Sequence, residues 1–200
     1  MQHYGPRTAL IVVDVQNDFV DPNGSLSVAG AQAVVAAANR EIAAALGRGA
    51  TVVATQDWHP EHTPHFAQDG GTWPVHCVGG TWGAALHSAL ELPEASPRVR
   101  KGAQGEDGYS GFTMRDPVTG ATTPTELEGI LREAGVRAIA VVGLATDYCV
   151  KATALDGVRL GFRTAALTDA IAAVDLQPGD GERALDDLGA AGVELRRSAA

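Results

Sequence analysis

Short apolar runs of strand length alternate along this chain with longer segments of helical period. "TALIVVD" (8–14) is followed by an Ala-rich stretch that reads as a helix near 30–46, closed by Gly47 and Gly49. "ATVVATQD" (50–57) reads as a second strand and "RVRK" (98–101) as a weaker third. A helix near 123–134 leads through Gly135 into "VRAIAVVGL" (136–144), a continuous apolar run suited to a strand buried on both faces. A helix over 147–159 follows, with Val150, Ala154 and Val158 on one stripe. "FRTAALTDA" (162–170), a helix near 180–190 and "VELRR" (193–197) complete the series. Alternation of this kind predicts parallel strands covered by helices on both faces. The expected architecture is a three-layer α/β domain over residues 1–200, with an open sheet of about six mainly parallel strands.

One segment breaks the alternation. Residues 57–88, "DWHPEHTPHFAQDGGTWPVHCVGGTWGAALHS", are rich in Gly, Pro, Trp and His and show little periodicity. A long irregular excursion inside a compact domain is more often a site-building loop than filler.

Composition narrows the function classes. The 200 residues are 45% hydrophobic and carry a formal charge of −9 without a basic run, so nucleic-acid binding has no electrostatic support. "ALIVV" (9–13) is too short for a membrane span or a signal-peptide core, and a cytoplasmic protein without membrane attachment is expected. Only two cysteines, Cys77 and Cys149, argue against a disulfide scaffold.

The candidate chemistry lies at strand ends, where open α/β sheets bind ligands. Asp14 closes the first strand, Asp57 the second and Lys101 the third, while Cys149 opens the helix after the fourth. Packing alone usually accounts for a cysteine. A cysteine in a first helical turn, however, meets unpaired N–H groups and a positive dipole end, which favour a thiolate with a lowered pKa and can hold an oxyanion. A nearby carboxylate can take the thiol proton and a lysine can offset the charge that builds up. Asp14 and Lys101 have the right chemistry for those parts.

Four of the six histidines (His59, His62, His65, His76) fall in residues 59–76, next to Asp57. Asp57 and His59 are two apart and share one face of an extended backbone. Asp oxygen and His nitrogen suit a divalent ion such as Zn, Mn or Fe, and the spacing fits no zinc finger, so the ion would serve a ligand rather than the fold. His3 and His87 read as ordinary polar positions, and Cys77 as packing.

"IVVDVQNDF" (11–19), "QDWHP" (56–60), "WPVHC" (73–77), "RKGAQGEDGYSGF" (100–112) and "GLATDYCVKATALDG" (143–157) together resemble the nicotinamidase/pyrazinamidase group of the isochorismatase-like cysteine hydrolases. The resemblance runs in order from about residue 8 to 170. It implies a six-stranded parallel sheet and an Asp–Lys–Cys triad matching Asp14, Lys101 and Cys149. It implies metal ligands at Asp57, His59 and His76, with His65 at the position of a further histidine that some members use. His62 matches no family ligand. Aromatic walls around a pyridine ring correspond to Phe19, Trp73 and Tyr109. An oxyanion hole corresponds to the backbone N–H groups of Ala145 and Cys149, with a cis peptide between Leu144 and Ala145.

The implied activity is hydrolysis of nicotinamide, and of pyrazinamide, through a thioester on Cys149 in pyridine-nucleotide salvage. One divalent ion, zinc first and iron or manganese after it, would hold the ring nitrogen directly or through bound water; the resemblance leaves the oligomeric state open, a homo-oligomer included. A sister hydrolase acting on a carbamoyl or ureido amide is the nearest rival, but such relatives generally lack the "DWH…WPVHC" loop. A phosphoacceptor receiver domain also gathers strand-end Asp and Lys, yet would leave Cys149 and the histidines without a task. No G-x-G-x-x-G follows the first strand, which counts against a dinucleotide binder.

Overall fold

The computed structural model describes residues 4–198, so His3 lies outside the described residues. In chain order the first half runs β1 (Thr8–Val13), a short α1 (Asn17–Val20), α2 (Ala31–Leu46), β2 (Thr51–Asp57) and β3 (Arg98–Lys101). The second half runs β4 (Thr113–Arg115), β5 (Thr122–Pro124), α3 (Leu127–Glu133), β6 (Ala138–Leu144), α4 (Lys151–Arg159), β7 (Arg163–Ala172), α5 (Asp180–Ala190) and β8 (Glu194–Arg196). Six strands form one sheet in the order β3-β2-β1-β6-β7-β8, and every neighbouring pair is parallel.

The continuous apolar runs follow from burial on both faces. Along β1, Leu10 and Val12 enter the core beneath α2, with Val34, Val35, Ala38 and Ile42. Ala9, Ile11 and Val13 point the other way, into the core shared with Leu127 and Leu131 of α3, Ala154 of α4 and Leu188 of α5. Among the described residues no helix is long and apolar enough to cross a membrane.

Connectivity positions the site. The chain steps outward from β1 to β3, then returns to lay β6, β7 and β8 on the other side of β1. Strand order therefore reverses between β1 and β6, and the crevice beyond their carboxyl ends is the usual ligand site of such sheets. The excursion between β2 and β3 has one regular turn, Ala67–Asp69. The bridges His59 to Val78 and Phe66 to Trp73 fold it back on itself.

Two expected elements differ. The helix expected near 123–134 is confined to 127–133, and Thr122–Pro124 pairs antiparallel with Thr113–Arg115 instead. Pro124 disfavours helical backbone just before it, and Asp116 Oδ1 accepts the N–H groups of Val118 and Thr119 to build the intervening turn. The helix expected over 147–159 opens with a π-helical turn, Thr146–Val150, with Ala145 as its N-cap residue.

Gly143 is the tightest point of the sheet beside the crevice. Its φ is +115°, and a Cβ there would stand 2.1 Å from the Val13 carbonyl oxygen. The β6–β7 register also shifts between Val141 and Gly143. Gly143→Ala should lower unfolding stability by roughly 3 kcal/mol, combining backbone strain with overpacking. Urea unfolding checks this, and an unchanged midpoint would refute the packing described.

Candidate active site

Asp14 leaves β1 with φ +49°, in the left-handed region that Asp tolerates better than most residues. Its backbone turns there, and the carboxylate is completely buried. Thr55 Oγ1 donates to Asp14 Oδ1 at 2.6 Å. The other oxygen, Oδ2, lies 2.7 Å from Lys101 Nζ but makes no aligned hydrogen bond. Lys101 comes from β3, two strand spacings or about 10 Å away from β1, so its stem must reach over β2. The ammonium also donates to Asp57 Oδ1, and to Cys149 Sγ at 3.6 Å. Atoms of Asp14, Asp57 and Cys149 lie within 4.8 Å of one another.

Electrostatics divides these groups. Burial, reinforced by the Asp57 charge, pushes Asp14 up to about 6 although Lys101 pulls it down. Burial acts on Asp57 in the same sense, but Lys101, His59 and His76 outweigh it and hold Asp57 below the usual range. Burial would lower Lys101, yet the two carboxylates raise it well above its ordinary value. Burial pushes the Cys149 thiol well above its ordinary value, with Lys101 opposing and both carboxylates reinforcing. The lowered thiol pKa expected from a helix start is therefore not found: the sulfur is buried beside two carboxylates, and these outweigh a dipole of partial charge.

The histidines converge in the excursion. One ring nitrogen from each of His59, His65 and His76 lies within 4.8 Å of the others. Asp57 Oδ2 sits 3.9 Å from Nε2 of both His59 and His76. His76 Nδ1 contacts the Pro74 carbonyl at 2.8 Å and His65 Nδ1 contacts Asp107 Oδ1 at 2.9 Å. Both partners accept, so each Nδ1 carries a proton and each Nε2 is turned away from that contact. Burial drives His59 down to about 4, keeping it neutral, and neither of its buried nitrogens has a hydrogen-bond partner. Gly102 makes room for that ring, since a Cβ would fall 2.8 Å from His59 Nδ1. Orphaned nitrogens on His59, oriented imidazoles and an anionic carboxylate fit a divalent ion of the zinc type. His62 is not part of the cluster; it is exposed and pairs with Asp69. Cys77 is buried and outside it, and His87 is half-buried at the edge of an open groove.

Cys149 lines one small cavity of about 350 Å³ including its mouth, together with Asp57, His65 and His76. Phe19, Trp73 and Tyr109 line it, as the resemblance implies, and Trp73 Nε1 donates to the Tyr109 hydroxyl at 2.9 Å. Ala145 lines it beside Cys149, and the Leu144–Ala145 peptide is cis. Four walls escaped the sequence reading: Leu26, Leu144, Tyr148 and Val174. Tyr148 had a signal, lying next to Cys149 in "TDYC"; Leu26 and Val174 come from loops that only the fold brings in.

Gln16 also escaped. Its buried amide accepts the Asp57 N–H and donates to the Asp57 carbonyl, both at 2.8 Å, and donates to Ala84 O at 2.9 Å. Beyond Val13 the backbone of β1 has turned away, and this side chain stands in as the missing strand partner of Asp57.

An open parallel α/β sheet with a thiol, a carboxylate and an ammonium gathered at its switch point defines a class, the open-sheet cysteine hydrolases. The chain belongs to the isochorismatase domain family, whose pattern matches residues 8–200. It is 39% identical over 204 residues to a nicotinamidase of Acinetobacter baylyi, covering 93% of this chain and 90% of that protein. The fold superimposes with a TM-score of 0.86 on a pyrazinamidase of Pyrococcus horikoshii in complex with zinc, at 39% identity over 96% of this chain and all of that one. It superimposes with a TM-score of 0.87 on PnC1 from L. infantum in complex with nicotinate, at 36% identity over 96% and 93% of the two chains.

Gln16→Met would keep the volume and strand both polar groups of Asp57. A loss of about 3 kcal/mol in unfolding stability is expected, read by urea denaturation; a change within 0.5 kcal/mol, roughly the range of neutral surface substitutions, would show that the amide is dispensable.

Proposed function

We propose that this protein is a nicotinamidase that hydrolyses nicotinamide, and pyrazinamide, to the acid and ammonia. The observation that carries the reading is one small aromatic cavity lined both by the Cys149 thiol and by Asp57, His65 and His76 of the donor cluster. A flat azine amide can offer its carbonyl carbon to the thiol and its ring nitrogen to an ion held by that cluster. A zinc ion held by Asp57, His59 and His76, with His65 beside them, would supply a fixed Lewis-acidic anchor for the ring nitrogen. Iron suits imidazole donors as zinc does, and manganese suits the carboxylate more than the imidazoles, so zinc or iron is the ion these donors favour.

The chain's own residues then divide the reaction. Phe19, Trp73 and Tyr109 hold the ring in plane, which orients the carboxamide over Cys149. Asp14 Oδ2, free of aligned hydrogen bonds, takes the Cys149 proton as the sulfur attacks the carbonyl carbon. Backbone N–H groups of Ala145 and Cys149 receive the oxyanion, and the adjacent Lys101 ammonium balances the charge. Asp14 returns the proton to the departing nitrogen, releasing ammonia and leaving a thioester. Asp14 next accepts a proton from water as the oxygen attacks, the C–S bond breaks, and the sulfur regains its proton. A reduced thiol nucleophile suits a reducing compartment, and the cytoplasm is the proposed setting.

Ammonia release from nicotinamide by zinc-loaded protein is the direct assay. Cys149→Ala should abolish it, by at least about four orders of magnitude, while keeping zinc and fold. His59→Ala should lose zinc and raise KM about a hundredfold. Full zinc content with full activity in His59→Ala would remove the anchor from this scheme. Absence of turnover by the zinc-loaded wild type would redirect the search to carbamoyl and ureido amides.

A pH profile tests the base. Asp14 must be ionised to accept the thiol proton, and its carboxyl is pushed up to about 6. kcat/KM should therefore fall tenfold per pH unit below about 6 and level off toward neutrality. A limb that instead follows thiol ionisation above pH 8 would assign activation to a preformed thiolate.

A further inference from the structure

Asp18 is buried, yet no step above uses its carboxylate. Among the described residues no cation pairs with it; it accepts backbone N–H groups instead. Asp18 Oδ2 takes the N–H of Cys77 at 2.7 Å, and Oδ1 takes that of Ser25 at 3.2 Å. Its backbone carbonyl takes the N–H of Leu26, and its own N–H donates to the Gly83 carbonyl. Gly83 is laid directly on the carboxylate, since a Cβ there would fall 2.1 Å from Asp18 Oδ2.

The contacts to Cys77, Ser25 and Leu26 lead to cavity walls. Phe19 is next in the chain, Leu26 follows Ser25, and His76 precedes Cys77. Cys77 is held at φ +46°, a region that residues with a side chain seldom occupy, and the charge-assisted hydrogen bond to Asp18 fixes it there. The rings of Phe19 and His76 consequently meet at 5.5 Å.

We propose that Asp18 is a positioning residue: one buried carboxylate clamps the His76 segment against α1 and sets the metal-facing histidine and the Phe19–Leu26 wall in register. The inference rests on the nicotinamidase reading of the cavity for its substrate half, and on the donor geometry alone for its metal half. Asp14, Lys101 and Cys149 take no hydrogen bond from Asp18. Its loss therefore acts on binding and spares the thiol.

Asp18→Asn keeps the shape but removes the charge and turns one acceptor into a donor. Zinc Kd, measured against a chromophoric chelator, should rise at least tenfold, and KM for nicotinamide should rise at least tenfold. kcat at saturating zinc and substrate, and the rate of Cys149 alkylation by iodoacetamide read by mass spectrometry, should stay within threefold of wild type. Gly83→Ala, which displaces the carboxylate without discharging it, should shift zinc Kd and KM in the same direction, and it decides the matter if Asp18→Asn does not fold. Zinc Kd within twofold of wild type in both variants would overturn the proposal. So would a parallel fall in zinc affinity, kcat and alkylation, which marks a general structural role. A shifted zinc Kd in a protein that does not turn over nicotinamide would uphold the positioning role and fault the substrate reading.

Discussion

Lys101 carries its ammonium to a point without solvent access, with carboxylates of Asp14 and Asp57 beside it and the Cys149 sulfur 3.6 Å away. One positive charge cannot serve two buried carboxylates equally. Asp57, which also faces His59 and His76, is held anionic, while Asp14 is pushed up toward neutrality. Like charges around a shared cation split their proton affinities in this way. In the proposed reaction the two directions suit two tasks: the carboxylate held anionic would serve a metal ion, and the one pushed up would serve as the base. A lysine rather than an arginine suits the position, because a compact ammonium fits among three groups where a planar fork would not.

The rest of the site shows how an irregular excursion is held to the accuracy chemistry needs. Residues 58–97 have almost no regular hydrogen-bond ladder of their own, so their backbone groups look to side chains of the "DVQNDF" segment. Gln16 satisfies Asp57 and Ala84, Asn17 Nδ2 donates to Trp82 O at 2.7 Å, and Asp18 accepts from Cys77. Phe19, next in line, is a wall of the cavity. Six residues after one strand thus anchor a loop that begins after the next, which ties the base to the histidine cluster through one short piece of chain.

Continuous apolar runs of strand length, alternating with helical segments, made the sheet legible from the sequence, and the rule for strand ends drew attention to Asp14, Asp57, Lys101 and Cys149. The resemblance supplied the pairing of those residues with His59, His76 and the aromatic walls, because no spacing rule shows that a lysine from β3 reaches over β2. Leu26 and Val174 were illegible for the same reason: loops approach the cavity only once the strand order is known. The thiol was misjudged because a helix start was weighed without its surroundings. Dipole effects fall off within a turn and are partial charges, whereas burial and two full charges act at contact distance. The hairpin of β4 and β5 was lost to a helical pattern that ignored Pro124.

A thiol kept neutral at rest has consequences for how the cavity works. Neutral sulfur is a weak nucleophile and a weak target for oxidants, so a buried Cys149 is quiet until a proton acceptor and an electrophile are both in place. Asp14 is always in place; the carbonyl is not. In the proposed reaction, proton transfer to Asp14 accompanies attack on carbon, and the geometry that seats the carbonyl becomes the control on reactivity. In the proposed scheme that geometry is set by the histidine cluster and the aromatic walls lining the same cavity. Selectivity on this reading does not come from the thiol, which would attack many carbonyls, but from the requirement that a ring reach the cluster while its carboxamide lies over the sulfur.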